Sequence, residues 1–131
     1  MSAASTSASF GQSGAADAIS AVRGFMAAAK GSDLRAFGAL WGDQQGPARD
    51  KMPREEFEKR EIVLMRCLRH DRYEIAGEAP ALNGSRAVVL NLNYGELSRS
   101  ADLQVVRGPS DRWYIQDVNL QKLQDICMSR G

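Results

Sequence analysis

The chain has 131 residues, 44% hydrophobic and 25% charged, which suits one globular domain with one core. Its 17 basic and 16 acidic side chains leave a net charge of +1, so no long-range field draws in nucleic acid and no nucleic-acid partner is expected. No apolar run reaches the ~18–20 residues of a membrane span.

Residues 1–13 are expected to be a flexible Ala/Ser/Thr tail, with a single domain over 14–131. The start has neither the basic n-region nor the apolar h-region of an export signal. It reads either as a plain cytoplasmic start or as the mature end left after a signal was removed, which would place the protein in the cell envelope or periplasm.

The spacing of Ile19, Val22, Met26 and Ala29 predicts a first helix over 15–30, closed by Lys30-Gly31. Ser32 or Asp33 then caps a short helix carrying Leu34, Phe37, Leu40 and Trp41. Gly42, Gly46-Pro47 and Pro53 punctuate a loop. A third helix runs from Pro53 to about Arg69, with Glu55 and Glu56 at its positive end and Arg66 and Arg69 at its negative end. Its apolar face, built from Phe57, Ile62, Leu64, Met65 and Leu68, is wide and predicts deep burial.

From Arg72 the apolar period becomes two. Tyr73 and Ile75 mark one strand, ended by Pro80 and the Asn83-Gly84 turn. Arg86–Tyr94 is the clearest strand, with Val88, Leu90 and Leu92 on one face. Ser98–Arg107 follows, with Ala101, Leu103 and Val105 in phase. After Gly108-Pro109-Ser110-Asp111, Trp113 and Ile115 mark a last strand. Leu120, Leu123, Ile126 and Cys127 then mark a short terminal helix. The fold class is α+β, with three N-terminal helices packed on a strongly curved antiparallel sheet of about four strands, then a short C-terminal helix.

Cys67 and Cys127 are small buried hydrophobes in a reducing compartment or one disulfide in an oxidising one. We expect them to lie close enough to bond. Neither sits in a CxxC, and no metal-spaced cluster, Walker pattern or GxSxG occurs, so no metal or cofactor is expected.

Five groups are candidates for chemistry. His70-Asp71 has the parts of a general base, but sequence neighbours point apart, and a structural His beside a capping Asp is the favoured reading. Glu61 borders the buried stripe, where an apolar pocket would raise its pKa and fit it for acid–base work; the alternative is an Arg-paired or exposed Glu. Asp117 shares phase with Trp113 and Ile115, which points it to a pocket, whereas Asp102 falls on the outer face. Phe37, Trp41, Tyr94 and Trp113 either line an apolar ligand pocket or form core. Arg60, Arg66, Arg69 and Arg72 either bind an anion or pair with nearby acids.

The Gly31-Ser32-Asp33-Leu34 step, Leu40-Trp41, the long helix running into Arg72-Tyr73-Glu74-Ile75, and the closing Gly108–Ile115 hairpin together resemble the nuclear transport factor two-like superfamily, which includes ketosteroid isomerases and polyketide cyclases. Within it the chain is similar to small bacterial members, many of them exported. The resemblance covers roughly residues 14–120. It implies a bent sheet around a helix, a pocket between the two, and pairing of copies through the sheet's outer face. On this basis a non-enzymatic domain is expected, holding a small apolar molecule or a protein partner, with Phe37, Trp41, Glu61, Met65, Tyr94 and Trp113 at the pocket. The rival is a lyase, isomerase or cyclase for a hydrophobic carbonyl compound, with Glu61 or Asp117 as base.

Overall fold

A computed structural model describes residues 13–130. The tail expected over 1–13 lies, apart from Ser13, outside the described residues. Ser13 itself is tied down: its hydroxyl is 2.6 Å from the Tyr114 hydroxyl, and Arg112 Nε donates to its carbonyl at 3.2 Å.

Helix α1 spans Ala18–Lys30 and α2 spans Leu34–Leu40. Asp17 caps α1, its carboxylate accepting from the Ser20 amide at 2.8 Å, and that bond holds its pKa down. Asp33, not Ser32, caps α2 through the Ala36 amide at 3.0 Å. Ser32 adopts a left-handed φ of 54° in the turn between them. The predicted loop holds a two-residue hairpin, β1 (Gly42–Asp43) and β2 (Gly46–Pro47), and a 3-10 turn over Ala48–Asp50. Helix α3 spans Arg54–Cys67, two residues short of its expected end.

Strands β3 (Arg72–Pro80), β4 (Arg86–Tyr94), β5 (Leu97–Arg107) and β6 (Trp113–Val118) form an antiparallel meander in the order β3-β4-β5-β6. Helix α4, Gln124–Met128, follows a 3-10 turn over Leu120–Leu123. Among the described residues the architecture is α+β: four helices, a four-stranded sheet and a two-stranded one.

Val88, Leu90 and Leu92 of β4, Ala101, Leu103 and Val105 of β5, and Ile115 of β6 all turn to one side. They meet Val22, Phe25 and Met26 of α1, together with Phe37, Leu68, Leu123 and Ile126, in one core. Alternation at period two makes the opposite face polar, with Asn91, Asn93, Ser98 and Ser100 paired across β4 and β5. The free edge of β6 is covered, since Ala15 exchanges two backbone hydrogen bonds with Trp113 (2.8 and 2.9 Å) and Trp41 bridges to Ile115.

Helix α3 departs from the expected deep burial. Only Phe57, Glu61 and Cys67 are buried, whereas Ile62 and Val63 are 56% and 53% exposed. The core is closed by α1 and the sheet, so α3 packs as an outer layer and spends part of its apolar surface on clefts. Its C-terminal end is fixed by the disulfide Cys67–Cys127, whose Cα atoms are 4.1 Å apart.

Candidate functional site

Two clefts flank α3. The first, about 470 Å³, lies between α3 and β6. Trp41, Leu64, Ile115, Val118 and Leu120 give it an apolar lining, with Val63 beside them. Lys59, Arg60, Gln116 and Asp117 supply its polar groups. Trp41 is set by its backbone bridge to Ile115 and by stacking on Phe57, with ring centroids 5.3 Å apart. Asp117 is exposed. Its register explains why: Val105 pairs with Ile115 but Gln104 pairs with Asp117, so a bulge at Gln116 interrupts the alternation. The phase argument that aimed Asp117 inward with Ile115 is therefore corrected; Val118 takes the inward place.

The second cleft, about 630 Å³, lies between α2, the 3-10 turn and α3. Its walls include Leu34, Gly38, Arg49, Asp50, Arg54, Phe57, Glu58 and Glu61. Glu61 is only 1% exposed, and its Oε2 has no hydrogen-bond partner among the described residues. Burial raises its pKa to about 7, helped by the charge of Glu58 and opposed by that of Arg49. Gly38 makes room for it: a Cβ there would stand 2.7 Å from Glu61 Oε2 and 2.8 Å from the Phe57 ring. A glycine inside a seven-residue helix is the sequence signal for this close approach.

The six residues expected around one pocket do not converge. Phe37 is fully buried and stacks on Phe25 with centroids 3.9 Å apart. Trp41 lines the first cleft and Glu61 the second. Met65 lies in a shallow groove with Ala29 and Ile62. Tyr94 lies under the Arg69 guanidinium, 4.9 Å away. Trp113 packs near Arg107 and pairs with Ala15. The physical reason is that the sheet's inner face is filled by α1, so the two larger clefts among the described residues open on the flanks of α3.

His70 is buried, its Nδ1 2.9 Å from the Leu68 carbonyl and its ring edge-on to Tyr73. Asp71 accepts from the Gly95 amide at 2.7 Å, and Lys30 donates to both their carbonyls at 2.9 Å. The pair ties α1, α3 and the β4–β5 turn together. Arg66 donates to the carbonyls of Cys127 and Ser129, and Arg69 to those of Ile126 and Ser129, at 2.6–3.0 Å. Arg66 and Arg69 thus satisfy the exposed end of α4, whereas Arg60 pairs with Glu56 at 2.9 Å. Asp102, on the outer face as expected, has its pKa lowered chiefly by the Lys122 ammonium 3.1 Å away.

Among the described residues no group of three or more His, Cys, Asp or Glu stands ready for a metal, and no helix is long and apolar enough to cross a membrane. Comparison with protein-family models, with curated proteins and with solved structures gave no match.

Proposed function

We propose that this is a non-enzymatic binding domain that takes a small, largely apolar molecule into the cleft between α3 and β6. The observation that carries the reading is the apolar lining of that cleft, Trp41, Leu64, Ile115, Val118 and Leu120, left open beside a core that is otherwise filled. A carboxylate base for an apolar carbonyl compound would have to be buried in the same cleft as its substrate. Asp117 stands exposed at the cleft and Glu61 faces the other one, which favours binding over turnover. The order of elements, helices before a four-stranded meander, supports the resemblance to the nuclear transport factor two-like superfamily. The Cys67–Cys127 disulfide supports an oxidising setting such as the cell envelope.

The dye 1-anilinonaphthalene-8-sulfonate tests the reading. It binds with saturable fluorescence, and Val63→Asp weakens it at least tenfold. Leu82→Asp, at an exposed residue away from the cleft, leaves it unchanged. Equal binding by both variants refutes the assignment.

A further inference from the structure

The second cleft carries chemistry that an apolar ligand does not need. A carboxyl with 1% exposure and an unpartnered oxygen is costly to bury, because its lost contacts with water are not replaced. The surrounding sequence nonetheless accommodates it: Gly38 is the one residue type that leaves space for Oε2 against α2. Charge in the cleft is divided. Glu61 lies at its buried end, with exposed Arg49 on the 3-10 turn and exposed Arg54 at the start of α3. Arg54 is engaged with Glu58 at 3.1 Å, whereas Arg49 joins none of the ion pairs of the described residues and acts on Glu61 only through its field. Leu34 and Phe57 supply apolar wall between these charges.

We propose that this cleft binds a free amino acid, its α-ammonium on the Glu61 carboxylate, its α-carboxylate on Arg49, and a branched or aromatic side chain against Leu34 and Phe57. A simple anion would meet the carboxylates of Asp50, Glu58 and Glu61. A simple cation would meet the guanidiniums of Arg35, Arg49 and Arg54. A zwitterion answers both sets at once, and it supplies the donor that Glu61 Oε2 lacks. The ammonium pairs with the ionised carboxylate, so binding releases the Glu61 proton to solvent. The groups that face Glu61 from the packed elements are Arg35 on α2, Arg49 and Asp50 on the turn, and Arg54 and Glu58 on α3. With Glu61 titrating near 7, the competent fraction rises roughly tenfold from about pH 6 to about pH 8, and affinity rises with it.

The test is an amide NMR and calorimetric titration of the full chain with L-leucine, 3-methylbutylamine and 4-methylpentanoate as probes. Leucine is expected to shift the signals of Gly38, Arg49 and Glu61, to bind about tenfold more tightly near pH 8 than near pH 6, and to exceed both truncated probes by tenfold or more. Glu61→Gln removes the pH dependence and most of the affinity. Arg49→Ala, at an exposed position that leaves the fold intact, lowers affinity for leucine but not for the amine. The proposal is overturned if leucine at millimolar concentration leaves those signals unmoved, if 4-methylpentanoate binds as tightly as leucine, or if affinity falls as pH rises. The α3–β6 cleft reports separately through Trp41, so the two sites succeed or fail independently.

Discussion

Glu61 is where residue-scale physics departs most from ordinary packing. Its ordinary pKa of 4.5 is raised to about 7 because burial penalises the charged form. The sign follows directly: the folded state holds the proton more tightly than the unfolded chain. The contribution of Glu61 to stability is therefore most favourable below about pH 4.5, declines as pH rises through the interval to about 7, and carries the full cost above it, on the order of 3 kcal/mol. Glu61→Gln should accordingly flatten the pH dependence of urea unfolding and stabilise the protein at pH 8; parallel curves for the two proteins would exclude a buried ionising Glu61. Gly38→Ala places a Cβ against both Glu61 and Phe57 and should cost about 1–3 kcal/mol in the same assay. The burial of Glu61 was legible in the sequence, because its spacing from Phe57 and Met65 set it beside a buried stripe. The direction of Asp117 was not legible, because strict alternation cannot reveal a bulge, which depends on how β5 and β6 pair, although Asp117 still borders the α3–β6 cleft.

At the scale of elements, α3 and α4 act as a unit. The disulfide joins Cys67 to Cys127, and Arg66 and Arg69 take up the carbonyls of Ile126, Cys127 and Ser129. Arg99 on β5 adds an ion pair to Asp125. A link closing a loop of 60 residues is worth about 4 kcal/mol in the chain-entropy picture. Reduction, or Cys67→Ser with Cys127→Ser, should lower unfolding stability by about 2–5 kcal/mol. The Arg contacts predict that α4 stays docked at low temperature even when reduced, with its amide protection lost first on warming. Loss of α4 protection immediately on reduction would assign the docking to the disulfide alone. The strands and helices were legible because each has a clean period and its own turn signals, as in Val88, Leu90 and Leu92 before Gly95. The β1–β2 hairpin was not, since two-residue strands carry no period. The exposure of Ile62 and Val63 was not either, because periodicity names an apolar face without naming what covers it.

At the scale of the molecule, α1 fills the sheet's inner face and α3 rides outside it. That division places open space on the two flanks of α3, not at the centre of the sheet. It separates the apolar cleft at Trp41 from the charged one at Glu61, so an apolar ligand and a buried acid never meet. The order of elements made the α+β class readable. The division of space was not, because it depends on side-chain volumes meeting in three dimensions: the Phe25–Phe37 stack closes the centre that an open pocket would have needed.

The central claim, that the α3–β6 cleft holds a small apolar molecule, is tested most directly by energy transfer from Trp41 to bound 1-anilinonaphthalene-8-sulfonate in a Trp113→Phe protein, where Trp41 is the sole Trp donor. The account predicts saturable quenching of Trp41 emission with matching dye emission, and loss of both in Val63→Asp. Dye binding that leaves Trp41 emission unchanged, or quenching that survives Val63→Asp, would contradict it.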